Sequence, residues 1–388
     1  MNVVFFKSNT FLAQELENAL KKRNDLNLLI TSIPEKIPQQ AAHSVIDQIK
    51  SHLPAVVISI NNAGYDVQGT LCDLLGSAEC YQCNWFLDDP FYEDIFFNRR
   101  MPDVKNRLDF VSEETFVPLM KKKGYHAYFL PLATDLLYFN TNVQVGYKRD
   151  CAFVGNSSIT LLDSIITKDA ANEIEKHARL LNDMKKYYYD NPCDADIKGR
   201  LRKNASQWKD STVMDPARFL FRMEWLVGYF YRRDFIIEIA KKLKKRFMCF
   251  GDIYWSKFID PSLVSTDACY YTNLRDYYRS TKINLNINRI QIRTAFTQRI
   301  FDCKASAAFL LTEKRRLNSR FFATEGENKE LVEFSSWPQC LKLIDYYCEH
   351  DEEREKIARA GREKVLAEHT YDRRIEQIFE VCRKEWGI

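Results

Sequence analysis

Between Lys282 and Leu311 the chain reads KINLNINRIQIRTAFTQRIFDCKASAAFLL. Arg289, Arg293 and Arg299 put a cluster of guanidinium groups into a short polar stretch. A guanidinium fork matches the paired oxygens of a phosphate or diphosphate. The competing reading is a set of surface salt bridges, which arginines commonly make. Asn288 and Gln298 beside the arginines favour an anion site. Asp302, one helical turn beyond Gln298 and Arg299, is placed to take a ribose diol by two hydrogen bonds, or to pair with one of these arginines.

The elements around this cluster support that chemistry. Lys282–Ile287 alternates as a strand, Gln298–Lys304 reads as a helix, and Ala307–Leu311 as a buried strand. Together they make a βαβ unit, in which ligands bind where the strands' carboxyl ends meet the helix start. Two further turns follow strands nearby: Gly155-Asn156 after Arg149–Val154, and Gly251 after Phe247–Phe250. Both are expected at the same anion site, Gly155-Asn156 through backbone N–H groups that could meet a phosphate.

A second group lies in the first part of the chain. Asp88 and Asp89 end a strand, so they point oppositely and only one can face a pocket. That one is a candidate general base, and the bland reading is a turn before Pro90. The pair is not a D-x-D metal motif, so no obligatory divalent cation is expected. Asn61 and Asn62 form a polar turn after the strand Ala55–Ile60. His126 is either a base or a buried strand histidine, and the latter is favoured. Cys80 and Cys83 form a C-x-x-C with Cys72 upstream, but zinc needs four ligands and no second pair is near, so structural thiols are expected.

Strands and helices alternate over residues 2–131: Asn2–Phe6, Leu26–Ile30, Ala55–Ile60, Trp85–Leu87, Leu108–Val111 and His126–Pro131 are expected strands. Asp66 is placed to cap one helix and Ser112 another. Such alternation implies a doubly wound parallel sheet. Asn140–Tyr147 is polar and irregular, and the linker is expected there. Residues 157–246 contain little glycine and follow helical spacing, which implies a helical insertion. Its expected role is to shape substrate choice, and a scaffold bundle or a homodimer face are the alternatives. Amphipathic helices are expected at Trp337–Cys348, Glu352–Leu366 and Asp372–Trp386.

The 388 residues are 46% hydrophobic and 28% charged, which fits two globular domains. A net charge of +4 gives no reason to expect a nucleic-acid partner. The start lacks the basic region and long apolar stretch of a signal peptide, no run is long enough to span a bilayer, and eleven scattered cysteines suit a reducing compartment. A soluble, cytoplasmic protein is expected.

Asn286-Ile287-Asn288-Arg289, Gln298-Arg299-Ile300-Phe301-Asp302 and Ala307-Ala308-Phe309-Leu310-Leu311-Thr312 resemble the CgeB-like, spore-maturation type of glycosyltransferase. Glu368–Arg374 is similar to that family's ending, and Trp85–Pro90 to a motif in its first half. The likeness covers Lys282–Ile388 well, the first part loosely and 157–246 weakly. It implies an α/β, GT-B-like fold: two Rossmann-like doubly wound domains facing a cleft. Residues 1–145, joined by the helix 372–388, would hold a glycan, protein or small-molecule acceptor, and 149–370 a nucleotide-sugar donor. A catalytically silent nucleotide- or glycan-binding protein is the alternative reading.

Overall fold

A computed structural model of the chain describes residues 1–98, 105–141, 145–210 and 212–388. Contacts divide it into two units, Met1–Asp135 with Glu368–Ile388, and Leu136–Ala367. The division falls ahead of the linker expected at 140–147, of which residues 142–144 lie outside the described residues.

The first unit holds β1 (Asn2–Lys7), β2 (Asn27–Ser32), β3 (Val56–Ile60), β4 (Tyr81–Phe86), β5 (Arg107–Val111) and β6 (Ala127–Phe129). They form a parallel sheet in the order β2-β1-β3-β4-β5-β6. Val3, Val4, Phe5 and Phe6 are all buried, because helices cover both faces and an unbroken apolar run is then favourable. Asp66 receives the N–H groups of Thr70 and Leu71 at 2.9 and 2.8 Å and so starts the helix Thr70–Ser77. Ser112 does not cap the next helix. Its hydroxyl donates to the Leu87 carbonyl at 3.0 Å, and that helix begins later, at Phe116.

The second unit holds β7 (Arg149–Val154), β8 (Phe247–Phe250), β9 (Val264–Ser265), β10 (Thr281–Asn286), β11 (Leu310–Glu313) and β12 (Val332–Phe334). The parallel order is β12-β11-β10-β7-β8-β9. The chain runs outward from β7 in one direction, then returns to β7's other side with β10. That reversal opens a crevice between the carboxyl ends of β7 and β10, where ligands of such sheets bind. Ala307 was expected to begin β11; it instead takes a left-handed turn, φ 57°, and the strand starts at Leu310.

Between residues 159 and 243 the described residues form a series of helices, as the glycine-poor sequence implies. The longest helix, Pro216–Leu243, starts on Asp215, which accepts from the Arg218 N–H at 3.0 Å. Phe219, Met223, Val227, Tyr231, Phe235 and Ile239 are buried against the second unit's sheet and its other helices. Among the described residues no helix is long and apolar enough to cross a membrane. All eleven cysteines are free, and all but Cys193 and Cys269 are buried.

Candidate functional site

The carboxyl ends of β7 and β10 bring together three arginines: Arg289, Arg299 and Arg232. The first follows β10 directly, the second opens the helix Gln298–Ala305, and the third projects from the helix Pro216–Leu243. Arg232 is only 7% exposed. Its guanidinium carbon lies 5.9 Å from the centre of the Phe153 ring, and that of Arg299 lies 5.0 Å from the same ring. Burial, and then repulsion from Arg289 and Arg299, holds the Arg232 guanidinium below its ordinary pKa, with Glu313 acting in the opposite sense. Arg299 is shifted the same way, again by burial first. Among the described residues, none of the three has a carboxylate within ion-pair distance.

The protein spends several neutral groups to hold this charge. Arg299 donates to the Val154 carbonyl and to Asn286 Oδ1. Asn286 in turn accepts from Thr297 at 2.8 Å and donates to Asn288 Oδ1 at 3.0 Å and Thr312 at 2.8 Å. Asn288 is therefore a brace. Its N–H donates to Glu313 at 2.6 Å, and Glu313 pairs with Arg315 at 3.2 Å. Both members of this pair are buried, although they lie in a highly charged stretch, Thr312–Arg316. A carboxylate that fixes the Asn288 N–H fixes the turn that presents Arg289.

The glycines let the backbone come close. A Cβ on Gly251 would run into the Gly155 carbonyl oxygen, and one on Gly155 would meet Phe153 at 2.9 Å and Arg299 at 3.0 Å. Two of the turn's own N–H groups are already engaged. Gly155 donates to the Phe250 carbonyl at 2.7 Å, and the Ser157 N–H and hydroxyl reach one oxygen of Asp252 at 2.8 and 3.0 Å. These bonds do not favour the expectation that this turn cradles a phosphate. Asn156 is exposed at its tip.

Two expected donor residues are occupied elsewhere. Arg293 pairs with Asp196 of the helical insertion at 3.3 Å. Asp302, 1% exposed, accepts from Tyr270 at 2.8 Å and Gln298 at 2.9 Å. A ribose diol would have to displace one of these donors.

In the first unit, Asn61 and Asp88 come together at the carboxyl ends of β3 and β4, with Asn61 Nδ2 3.3 Å from Asp88 Oδ2. Asp88 is exposed. Asn61 and Asn62 both adopt left-handed backbone, φ 48° and 55°, which asparagine tolerates. Asn62 is buried and accepts from Arg107, which pairs with Asp109 at 2.8 Å. Asp89 is buried and takes the Phe91 N–H at 2.9 Å, the turn role. His126 is a correction on two counts: it is exposed, and it precedes β6, at the opposite end of the sheet from Asn61 and Asp88. Among the described residues no group of three or more His, Cys, Asp or Glu is placed to hold a metal ion.

Arg232 is absent from the sequence-based candidates because Arg232-Arg233 sits inside a long helix, where a basic pair suggests a solvated face. The signal was that apolar residues lie all around this helix, so a charge on it must meet buried surroundings.

Residues 232–380 match the model of a family described as glycosyl transferase-like. No curated protein matches the chain by sequence. Several solved structures share the fold. Sucrose-phosphate synthase from Thermosynechococcus elongatus is 11% identical with a TM-score of 0.50, over 100% of this chain and 99% of that one. A glycosyltransferase from Rickettsia africae is 11% identical with a TM-score of 0.50, over 99% and 98%. An alpha-glucosyltransferase, described in complex with UDP-glucose and DNA containing an abasic site, is 7% identical with a TM-score of 0.52, over 98% and 99%. The chain spans 57% of the length of TarM and 60% of the pneumococcal O-GlcNAc transferase GtfA, two larger proteins to which it is also similar. The chain thus shares the two-sheet GT-B fold of these structures, and its residues 232–380 are glycosyl transferase-like.

Proposed function

We propose that the chain is a glycosyltransferase that binds the diphosphate of a nucleotide-activated sugar at Arg232, Arg289 and Arg299, and passes the sugar to a hydroxyl of a glycan, protein or small-molecule acceptor. The observation that carries this reading is a cluster of three arginines, one buried and two half-buried, with no carboxylate at ion-pair distance among the described residues, at the switch point of a parallel sheet. When the bond from sugar to diphosphate breaks, negative charge grows on the leaving oxygen. Positive groups already fixed at that point stabilise the transition state more than the ground state. Asp88 is the proposed base for the acceptor hydroxyl, with Asn61 orienting it. Asp302 supports the donor site through Tyr270 and Gln298. A uridine diphosphate sugar is the first donor to test, since the alpha-glucosyltransferase with this fold is described with UDP-glucose. The CgeB-like subtype is part of the proposal, supported by the motifs at Asn286–Arg289 and Gln298–Asp302. The free, mostly buried cysteines suit a cytoplasmic setting.

The test is a melting curve of the wild type against a panel of nucleoside diphosphates. At a hundred times its dissociation constant a true ligand adds about 2.7 kcal/mol, seen as a raised Tm. The matching diphosphate is expected to stabilise the wild type and not Arg289→Ala. No shift with any nucleotide at millimolar concentration would remove the donor-site reading. Binding without consumption of any sugar nucleotide would favour the silent binding protein.

A further inference from the structure

A cavity of about 260 Å³ opens in the second unit at the amino ends of β10 and β11. These are the opposite ends of the strands from the arginine cluster. Tyr147, Arg279, Phe309, Arg354, Arg359 and Arg362 line it. Arg354 is 0% exposed. Its Nη1 donates to the Tyr347 carbonyl and to Asp351, each at 2.6 Å, but its Nε and Nη2 have no hydrogen-bond partner. Arg362 repeats the pattern: Nη2 donates to Asn140 at 2.7 Å, while Nε is buried without a partner. Arg279 donates to Thr141 at 3.2 Å. Among the described residues Arg279, Arg359 and Arg362 have no carboxylate within ion-pair distance. Glu355 and Glu363 also line the cavity and pair with none of these arginines.

Buried N–H groups of a cation are seldom left unmatched, because desolvating them carries a cost that only an acceptor recovers. Here they border a cavity with room for one. We infer that this cavity binds a phosphate monoester, with Arg354 and Arg362 taking its oxygens and the Tyr147 ring lying against the organic part. The guanidinium of Arg354 already stands 4.9 Å from the centre of that ring. The volume is below that of most drug-sized sites, so a phosphorylated monosaccharide fits and a nucleotide sugar does not. A free sugar phosphate and the head group of phosphatidic acid share this chemistry. The site is independent of the donor reading, since it uses other residues at the other end of the strands.

The test uses the full chain and calorimetric titration with a hexose monophosphate, with inorganic phosphate, and with vesicles of neutral lipid carrying phosphatidic acid. Saturable binding of the hexose monophosphate identifies the free ester as ligand, and binding to vesicles alone identifies the lipid head group. In either case Arg362→Ala and, separately, Arg359→Ala are expected to raise Kd about tenfold or more, as loss of a charge-assisted bond does. Arg362→Lys should recover part of the loss, and Arg289→Ala should change nothing. Circular dichroism of each variant checks that it folds. The proposal is overturned if no phosphate compound binds, or if Arg289→Ala abolishes binding while the Arg362 and Arg359 variants leave it intact.

Discussion

Arg232 carries a charge that the fold surrounds with two more of the same sign. Such a group is costly in the empty protein and favourable once an anion arrives. Replacing it with methionine, of similar length, is therefore expected to raise the Tm of the ligand-free protein, by about 1–3 kcal/mol in stability. The same change should weaken diphosphate binding tenfold or more, and paired melting and titration curves read both effects. Lys304 is a second buried cation, and its case is set by pH. Its ammonium donates to the Glu330 carbonyl and lies 5.5 Å from the Phe322 ring centre. Burial pushes its pKa down to about 8. Between that value and the ordinary lysine value the unfolded chain holds the proton more tightly, so stability from this group rises as pH increases from about 8 to 10.5. The full change is about 3 kcal/mol. Lys304→Met should be more stable than wild type at pH 7, and denaturant titrations at several pH values should show the rise removed. The sequence located Arg289, Arg299 and Asp302 because they crowd one stretch. It could not rank them, because what separates an anion site from a salt bridge is the acid that packs nearby: Asp196 for Arg293, and none at ion-pair distance for Arg289 among the described residues.

At the scale of elements, close approach matters more than propensity. Gly361 lies inside the helix Asp351–Glu368, where alanine is ordinarily better by about 1 kcal/mol. Its Cβ would stand 2.6 Å from the Lys304 ammonium and 2.5 Å from the Glu330 carbonyl oxygen, so Gly361→Ala is expected to destabilise. Gly251→Ala should cost more, because the obstacle is the Gly155 backbone. That carbonyl also accepts from the Trp255 indole at 2.8 Å. Chemical denaturation of both variants gives the ranking. Most strands were legible, since unbroken apolar runs such as Val56–Ile60 have no other home than a sheet covered on both faces. β9 was missed because it is two residues long and carries no pattern. The late start of β11 was missed because nothing in Ala307-Ala308 announces a left-handed turn.

For the whole molecule, the last helix decides what can fold alone. Tyr371–Trp386 is counted with the first unit, and Ile375, Ile378, Phe379 and Cys382 are buried there. Arg374 ties it down, donating to the carbonyls of Pro131 and Leu132 at 2.7 and 3.1 Å and bonding to His369 at 3.0 Å. Burying each large apolar side chain contributes about 1.5–3 kcal/mol, comparable in sum to the stability of a whole domain. Residues 1–135 made alone should therefore be poorly folded, and adding residues 368–388 as a separate peptide should restore protection from protease. Residues 136–367 should fold without help.

That returning helix also sets an order in time. During synthesis the whole second unit emerges between the first unit's sheet and the helix that completes it, a delay of roughly tens of seconds at ordinary elongation rates. Through that interval the partners of Ile375, Ile378 and Phe379 are uncovered and within reach of chaperones. A message broken between residues 135 and 368 gives a chain whose first unit lacks the helix that completes it.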